Sequence, residues 1–375
     1  MCNHTEKDCG HLISNTQLKK IIECTLISPY IKNEKPISLL IVAKAESGKT
    51  STMKMYRQNK GVVYVTDCTA YGITRDILPK IVSGEVKTIM IPDLITPLSK
   101  STKTRQSFVA FLNNLIEEGV AKITTYATVW NKDCNANVIT AVTDEELRDA
   151  RHNWAKIGFL SRFVLFSYSY SISTITKILN AYSEHGLTIK PVELDISEKQ
   201  VEIELPKEIA DKIDPIAMKI GEKFKLYGLR AKINFRSLLK ALAYRNGKQT
   251  VSDEEFREFL ELAGFWALKA MKQFRLGGFI VLNSSKRCYH VVFNRSVSWS
   301  ENLHVVAWVS LLSKNRGILR WLPMQCIKES STLRVSSKGG KPSPRIVFRF
   351  GKQDDQVRRF LESRKKIKKL VRLLS

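Results

Sequence analysis

The residues best suited to chemistry form one short run, Ala-Lys-Ala-Glu-Ser-Gly-Lys-Thr, at Ala43–Thr50. Apart from its first position, this run follows the pattern G-x-x-x-x-G-K-[ST] of loops that bind nucleotide phosphates. In such a loop Gly48 lets the backbone approach closely, Lys49 reaches the β- and γ-phosphates, and Thr50 ligates Mg²⁺ through its hydroxyl. The pattern therefore predicts a loop that binds ATP and Mg²⁺.

One position departs from this pattern, because Ala43 stands where the first glycine is expected. Alanine is small but tolerates a positive φ poorly, which puts the geometry of the loop in question. Ser47 and Ser51 are further candidates for contact with the nucleotide, together with Ala43 itself. The alternative is that the Gly-Lys-Thr triplet is a chance turn without a ligand.

A second candidate site residue is Asp93, which ends the mainly apolar segment Thr88–Asp93. If this segment is a strand of a parallel sheet, Asp93 lies at the carboxyl edge, where open α/β sheets bind their ligands. Asp93 is then the candidate Walker B aspartate that holds the water shell of Mg²⁺. The alternative is an aspartate that caps a helix or forms a turn.

The segments around these residues alternate between predicted strands and predicted helices. Apolar runs indicate buried strands, and apolar residues spaced i, i+3, i+4 indicate helices. The predicted strands are Ile37–Val42, Gly61–Thr66, Thr88–Ile91, Val138–Thr143 and Phe163–Tyr168. The predicted helices lie near 16–30, 49–58, 73–82 and 105–119, with another that begins at Asp144 as its cap. This alternation predicts an α/β fold with a parallel sheet in residues 37–172, after an N-terminal segment 1–36.

Two more regions follow the predicted sheet. Residues 173–275 have the pattern of a helical domain with a polar hairpin insert, and residues 276–375 form a basic C-terminal region. The hairpin is predicted at Leu187–Leu194 and Val201–Leu205, and the helices near Glu208–Tyr227, Asn234–Tyr244 and Asp253–Leu262. In the basic region, strands are predicted at Phe279–Leu282 and Tyr289–Phe293 around a turn at Asn283–Lys286, and a helix at Lys352–Leu374.

Positive charge is concentrated near the C-terminus. The 375 residues carry a net charge of +25, and Leu276–Ser375 alone holds 21 Lys and Arg against 5 Asp and Glu, a net of +16. Such a block favours polyanions, because each neutralised phosphate releases counterions. We therefore predict a nucleic-acid partner, and the family resemblance described below favours DNA over RNA. The alternatives are a solvated tail and a region without a compact fold.

Composition narrows the class of protein further. No apolar run approaches the ~20 residues that a membrane span needs, and the polar start lacks a signal-peptide core, so we expect a cytoplasmic protein without a membrane partner. Seven scattered cysteines argue against a disulfide framework. The zinc-binding residue types cluster near the N-terminus at Cys2, His4, Cys9 and His11. Their spacing is not that of a usual zinc knuckle, and free thiols are the alternative.

The order of these parts resembles the AAA+ ATPases, especially the clade of minichromosome-maintenance helicases. The resemblance covers roughly Ile37–Leu262 and rests on element order and short motifs. It implies a P-loop sheet followed by a helical lid, ATP held between the subunits of a homo-oligomer, and action on DNA. Hydrolytic AAA+ sites normally place a glutamate after the Walker B aspartate, whereas this chain has Leu94.

Three further roles are implied by the resemblance. Thr143 falls at the position of the polar sensor-1 residue, with Thr140 as the alternative. Arg162, in the segment Gly158–Phe163, is similar to the arginine finger that reaches the γ-phosphate of a neighbouring subunit. Arg236 is similar to the sensor-2 arginine of the lid, which contacts the phosphates. The alternatives are a surface arginine near a helix end for Arg162 and an exposed helix charge for Arg236.

These residues support two predicted functions. The first is an ATP-hydrolysing AAA+ protein acting on DNA, with Asp93, Thr143 and Arg162 as catalytic groups. The second is a nucleotide-gated DNA- or RNA-binding protein that does not hydrolyse ATP, which Ala43 and Leu94 favour. Hydrolysis would require another carboxylate in place of the missing glutamate. A third possibility is a structural ribonucleoprotein without nucleotide affinity.

Overall fold

The structure is a computed structural model, and it describes residues 16–374 with several gaps. The chain forms two compact units, Met1–Phe259 and Leu260–Ser375. The first unit contains a five-stranded, all-parallel sheet flanked by helices, which confirms the predicted α/β class. The helical lid and the division into four domains stay predictions. The gaps are 118–119, 126–127, 135, 171, 186–188, 198, 225, 263–270, 272–273, 286–287 and 314–342.

The first unit alternates strands and helices along the chain. Its strands are β1 (Ser38–Val42), β2 (Val62–Tyr64), β3 (Thr88–Ile91), β4 (Val120–Thr125), β5 (Thr128–Cys134), β6 (Asn137–Val142) and β7 (Phe163–Ser167). Its first helices are α1 (Thr16–Ile27), α2 (Lys49–Met55), α3 (Ala70–Gly72), α4 (Leu78–Val82), α5 (Ile95–Leu98), α6 (Thr102–Glu117) and α7 (Asp144–Lys156). The later helices are α8 (Ile172–His185), α9 (Lys207–Phe224), α10 (Leu229–Arg245) and α11 (Asp253–Leu262).

The parallel sheet has the strand order β2-β3-β6-β1-β7. Every residue of β1, β3 and β6 is buried, as expected for parallel strands that are covered on both faces. The edge strands β2 and β7 are only partly buried. The five strands predicted from apolar runs all form, each within two residues of its predicted bounds, because complete burial of the central strands requires an unbroken apolar run. β4 and β5 pair separately as an antiparallel hairpin.

The core of this unit forms where the sheet packs against α6. The predicted apolar stripe of this helix is buried in one cluster with residues of β1, β3 and β6. The stripe comprises Phe108, Phe111, Leu112, Leu115 and Ile116. Burial of such side chains contributes roughly 1.5–3 kcal/mol each, so this helix contributes strongly to the stability of the sheet that carries the candidate site.

The predicted hairpin between Leu187–Leu194 and Val201–Leu205 is wrong within the described residues. Residues 189–197 contain no strand, and Val201 forms a parallel bridge with Ile31 instead. The reason is that the backbone of this segment finds partners elsewhere in the first unit.

Residues 189–197, which we call the strap, are bonded to the end of α2. Val192 N donates to Met55 O at 2.8 Å. The buried side chain of Asn59 uses both ends of its amide: Nδ2 donates to Val192 O at 2.6 Å, and Oδ1 accepts from Leu194 N at 2.7 Å. One amide side chain therefore substitutes for the strand partner that a hairpin would have supplied.

Helices are predicted unevenly along the second half of this unit. α9, α10 and α11 form close to their predicted positions, and α11 begins and ends as predicted. α8 is not predicted, and it leaves Ile175 and Leu179 exposed at 44% and 59%. A periodic apolar pattern predicts a helix because a core buries one face of it. These apolar side chains of α8 are exposed, so no core enforces such a pattern there.

The described residues of the second unit include a small antiparallel sheet and two long helices. Its elements are β8 (Phe279–Ser285), β9 (Cys288–Phe293), α12 (Trp299–Ser313), β10 (Arg345–Phe350) and α13 (Gln356–Leu374), with strand order β10-β8-β9. Val357 of α13 packs against Ile280 and Leu282 in a compact core. β8 continues to Ser285, beyond the predicted end at Leu282, and α12 and β10 are not predicted from the sequence. The described parts of the basic region therefore form regular structure.

Candidate functional site

The loop predicted to bind phosphates joins β1 to α2. β1 lies between β6 and β7 in the sheet. The connection after β1 leads to β2 at one edge, whereas the connection after β6 crosses β1 to reach β7 at the other edge. Connections that leave neighbouring strands in opposite directions open a crevice at the carboxyl ends, where open α/β sheets bind ligands. The loop therefore lies at the switch point of this sheet.

The backbone of the loop adopts two left-handed conformations. Glu46 has φ 58° and Gly48 has φ 80°. Gly48, which directly precedes α2, carries no Cβ that would clash in this conformation. Ala43 is fully buried and does not have a positive φ, so alanine causes no backbone strain at the position of the first glycine. Its N–H donates to Val142 O at 3.4 Å, which extends the pairing of β1 with β6.

Lys49 bridges the two ends of the loop. Its Nζ donates to Ala43 O at 2.7 Å and to Lys44 O at 2.8 Å, and lies 3.5 Å from Ser47 Oγ. These partners are neutral, and an ammonium group bonds more strongly to an anionic oxygen. The loop therefore holds an ammonium group at a point where an entering phosphate would compete with these carbonyl oxygens for its hydrogen bonds.

Three carboxylates act on this ammonium group. Burial lowers the pKa of Lys49 below its usual value, and the three carboxylates partly oppose this effect. They belong to Glu146, Asp144 and Asp93, in order of decreasing effect. The structure thus brings Lys49 and Asp93 into electrostatic range and adds two acids of α7 that are not assigned to the site from the sequence. The sequence signal for them is the Thr-x-x-Glu pattern directly after a buried strand.

Asp93 caps a short helix and faces solvent. Its Oδ1 accepts from Ile95 N at 3.0 Å, and its Oδ2 accepts from Thr96 Oγ1 at 2.8 Å. The capping role, which is the alternative to a Walker B aspartate, is therefore formed in the structure. Each carboxylate oxygen has two lone pairs, so capping leaves one acceptor site on each oxygen for hydrated Mg²⁺.

Thr143 follows β6 and caps α7. Its Oγ1 accepts from Glu146 N at 3.2 Å, and Glu146 Oε2 accepts from Thr143 N at 2.7 Å, which is a capping box. The prediction that Asp144 is the cap is wrong, because Thr143 has the extended backbone that a cap requires. Thr140, the alternative sensor, is fully buried inside β6, and no described residue accepts or donates a hydrogen bond at its hydroxyl.

Two tyrosines that follow β7 contact the loop. The hydroxyl groups of Tyr168 and Tyr170 both donate to Ser47 O at 2.9 Å. Their ring centroids are 5.5 Å apart. Neither contact is predicted from the sequence, where the available signal is their spacing of two, which places side chains on one side of an extended segment. These tyrosines tie the phosphate loop to the end of β7.

Arg162 lies at the opposite, amino edge of the sheet, directly before β7. Its Nη1 donates to Gly158 O at 2.7 Å, and its Nε lies 3.9 Å from Glu117 Oε2. β1 separates the two edges by four residue steps, about 13 Å. The structure therefore does not bring Arg162 to Lys49 of the same chain.

Arg236 is also at the amino edge. Its Nη2 donates to Glu34 Oε1 at 2.9 Å, and Lys240 Nζ lies 2.8 Å from the same oxygen. Glu34 precedes β1 by four residues and is only 5% exposed. In this structure Arg236 therefore pairs with a buried carboxylate that needs a counterion, and its contact with phosphates stays a prediction.

Among residues 16–374, as far as the structure describes them, no three His, Cys, Asp or Glu side chains are grouped to hold a metal ion. Burial raises the pKa of the Cys24 and Cys68 thiols, that of Cys68 to about 12, so both stay protonated at neutral pH. The candidate zinc ligands Cys2, His4, Cys9 and His11 lie outside the described residues.

No protein-family model matches the chain, and no curated protein matches its sequence. Among the helices that the structure describes, none is both long and apolar enough to cross a membrane. The functional assignment therefore depends on the geometry of the site.

Proposed function

We propose that this chain binds ATP and Mg²⁺ at the loop between β1 and α2 and hydrolyses ATP in a homo-oligomer that acts on DNA. The observation that carries this proposal is the position of Lys49. Its ammonium group lies at the switch point of a parallel sheet, bonded to two loop carbonyls and within the field of three carboxylates. A triphosphate would supply the anionic oxygens that this lysine lacks. The proposal extends the resemblance to AAA+ ATPases.

The residues near Lys49 fit a magnesium nucleotide. Mg²⁺ is usually held by one or two protein oxygens together with phosphates and water. Thr50 and Asp93 are both exposed and offer such oxygens, the first from the start of α2 and the second from the end of β3. When bound, Mg²⁺ would neutralise the charge that develops on the transferred phosphoryl group. Ser47, Gly48 and Ser51 would contact the phosphates alongside Lys49.

Arg162 is proposed to act on a nucleotide bound by a neighbouring subunit. Its distance from the loop of its own chain supports this role, because a side chain at the amino edge does not reach the carboxyl edge. A guanidinium group stays charged and forms forked contacts with phosphate oxygens. Thr143 would place its hydroxyl near the γ-phosphate from its position at the start of α7.

A second function is favoured by Leu94. This side chain is fully buried at the position where the resemblance implies a glutamate that orients water. Glu146 of α7, the carboxylate with the largest effect on Lys49, is engaged in the capping box with Thr143. The second candidate is therefore a DNA- or RNA-binding protein that is gated by ATP and does not hydrolyse it.

Nucleic acid is the proposed partner of the second unit. Its last helix, α13, carries eight Lys and Arg and one Glu, and Lys365, Lys366 and Lys369 are exposed on it. Exposed cations of this density bind phosphate backbones through counterion release.

Nucleotide binding is tested with Lys49→Ala in the full-length chain. We expect at least about tenfold weaker binding of a fluorescent ATP analogue with Mg²⁺, because charge-assisted hydrogen bonds to phosphate are removed. Lys44→Ala is the matched control, since this exposed lysine contributes its main-chain oxygen to the loop contacts and should retain affinity. Equal affinity of the wild type and Lys49→Ala would overturn the site.

Phosphate release, measured with and without DNA, separates the two functions. Turnover in the wild type that is abolished in Lys49→Ala and Arg162→Ala supports hydrolysis. Tight binding of ATP without turnover supports the gated binding protein. A wild-type chain that does not bind ATP contradicts both.

A further inference from the structure

Three cationic side chains surround one carboxylate at the amino edge of the parallel sheet. Glu117 Oε1 lies 3.0 Å from Lys35 Nζ and 3.2 Å from Arg230 Nε. Glu117 Oε2 lies 3.9 Å from Arg162 Nε. We call these four residues the Glu117 cluster. They come from four separate elements: the segment before β1, the end of α6, the turn before β7 and the start of α10.

Both guanidinium groups of the cluster are held by additional hydrogen bonds. Arg230 Nη1 donates to Ser161 Oγ at 3.0 Å, and Arg162 Nη1 donates to Gly158 O at 2.7 Å. Gly158 has φ 69°, and a Cβ on it would lie 2.9 Å from Arg162 Nη1. The turn before β7 therefore depends on glycine to let this arginine fold back towards Glu117.

The cluster concentrates positive charge where little water screens it. Its four side chains carry a formal charge of +2, and those of Arg162 and Glu117 are only 14% and 17% exposed. Burial raises the pKa of Glu117, but Lys35 and Arg230 together lower it by a larger amount. The pKa is therefore below its usual value, and the carboxylate is ionised at neutral pH. Like charges in a partly dehydrated site repel one another, so a ligand of higher negative charge than a carboxylate would bind there more strongly.

We propose that the Glu117 cluster is a phosphate-binding site, in which the Glu117 carboxylate substitutes for the ligand within the free chain. An incoming phosphate group would accept hydrogen bonds from Lys35, Arg162 and Arg230 and displace Glu117 from them. Each guanidinium group can donate two parallel hydrogen bonds to two oxygens of a phosphate, and the ammonium group of Lys35 adds a compact positive charge. Arg230 is 41% exposed at the surface, and the depression that the cluster lines has no free volume while Glu117 fills it, so the ligand would enter only as that side chain moves out.

This site is distinct from the phosphate loop, which lies about 13 Å or more away across the length of β1. Its phosphate group has two sources that share the same chemistry. One is a free inorganic anion such as pyrophosphate, and the other is the terminal phosphate of a nucleotide held by a second copy of this chain.

The site is tested by titrating pyrophosphate into full-length protein that carries Lys49→Ala, which removes the lysine of the phosphate loop. In this background Arg230→Ala should weaken binding by about tenfold or more, since it removes charge-assisted hydrogen bonds. Glu117→Gln should tighten binding at least about tenfold, because the internal competitor loses its charge. Lys232→Ala is the control: it lies on the same helix, two residues from Arg230, and pairs with Asp214 outside the cluster.

Two results would overturn the proposal. The first is pyrophosphate affinity that Arg230→Ala leaves unchanged, and the second is affinity that Glu117→Gln does not increase. Thermal unfolding of each variant checks that the fold persists. If Arg230→Ala does not fold, Arg230→Lys replaces it in the test. This variant keeps the positive charge but cannot donate two parallel hydrogen bonds, so it should still bind pyrophosphate more weakly. Failure of ATP to bind the wild-type loop would leave this test intact, because the titration is made without the lysine of that loop.

Mixing variants identifies the source of the phosphate. Lys49→Ala and the double variant Arg162→Ala/Arg230→Ala should each lack ATP turnover alone. Turnover regained on mixing supports the site with a nucleotide from a second copy as its ligand. Pyrophosphate binding without regained turnover supports the site with a free anion as its ligand.

Discussion

The Ser47 carbonyl oxygen is heavily bonded for a main-chain atom of the phosphate loop, with two tyrosine hydroxyls at 2.9 Å. A trans peptide is planar, so its C=O and the following N–H point in opposite directions. Holding the oxygen of Ser47 towards the end of β7 therefore directs the N–H of Gly48 away from β7. Tyr168 and Tyr170 thus set the direction of one N–H that the proposed function assigns to phosphate binding.

We predict that the double variant Tyr168→Phe/Tyr170→Phe binds ATP several-fold to about tenfold more weakly. The two hydrogen bonds that it removes contribute about 1 kcal/mol each to the conformation of the loop. Binding of the fluorescent analogue measures the change, and Tyr71→Phe, at a half-exposed tyrosine of α3, is the control. Unchanged affinity in the double variant would show that the loop keeps its conformation without these hydroxyls.

At the scale of elements, the start of α11 has an unusually well-bonded carboxylate. Glu255 is fully buried, and its oxygens accept from Ser252 N at 2.9 Å and from Asn246 Nδ2 at 2.9 Å. Lys248 Nζ lies 2.8 Å away. Burial raises the pKa of Glu255, but these hydrogen bonds outweigh it and lower the pKa to about 2. The hydrogen bonds that tie Glu255 to Ser252, at the start of α11, are therefore strongest when the carboxylate is ionised.

This pKa predicts that the first unit loses stability in acid. A carboxylate whose folded-state pKa lies below its unfolded value stabilises the fold above that value, 4.5, and loses the contribution as pH falls towards 2. The full effect is roughly 3 kcal/mol. Urea unfolding at pH 7, 4.5 and 3 should show this dependence reduced in Glu255→Gln. Glu254→Gln, at an exposed acid of the same turn, should keep the wild-type dependence; equal pH profiles for all three proteins would contradict the prediction.

Elements differ in how much the sequence reveals about them. β1, β3 and β6 are predicted because a strand buried on both faces must be apolar throughout. α8 is not, since Ile175 and Leu179 are exposed and their spacing is not enforced by a core. The capping role of Thr143 is not predicted, because it follows from a hydroxyl that reaches the third residue of α7 and Asp144 offered an equally suitable side chain. Its role as a sensor stays a prediction.

The site itself is predicted only in part, for a physical reason. The phosphate loop is local, so its pattern is contiguous in the sequence. The contacts of Tyr168 with Ser47 and of Arg230 with Glu117 join residues more than one hundred positions apart, and no spacing rule relates them. The pairing of Arg236 with the buried carboxylate of Glu34 is not predicted for the same reason, because the two residues are distant in sequence.

At the scale of the whole molecule, two compact units divide the charge unequally. The second unit, Leu260–Ser375, holds 24 Lys and Arg against 6 Asp and Glu, a net charge of +18 of the total of +25. We therefore expect the second unit to attract nucleic acid and neutralise its phosphates, and the first unit to bind the nucleotide. The two proposed activities reside in different units and are separable by substitution.

We predict that reversing three exposed lysines of α13, with Lys365→Glu, Lys366→Glu and Lys369→Glu, weakens DNA binding and its salt dependence. The slope of log affinity against log salt concentration should fall in magnitude by about 0.9 for each duplex phosphate that the variant no longer neutralises. Fluorescence anisotropy over a salt series measures both quantities. The control reverses three exposed lysines of the first unit: Lys80, Lys103 and Lys156. Equal decreases in both triple variants would assign the effect to net charge alone.

The strap at residues 189–197 has a mechanical consequence. Met55 and Asn59 bond it to the far end of α2, whose near end begins at Lys49. A seven-residue helix is about 10 Å long and behaves as a stiff rod on this scale. Any tilt of that rod when its first residue changes partners must either drag the strap along or break three short hydrogen bonds. A rearrangement at Lys49 that tilts the helix would therefore be felt at the strap, which is bonded to the opposite end of that helix.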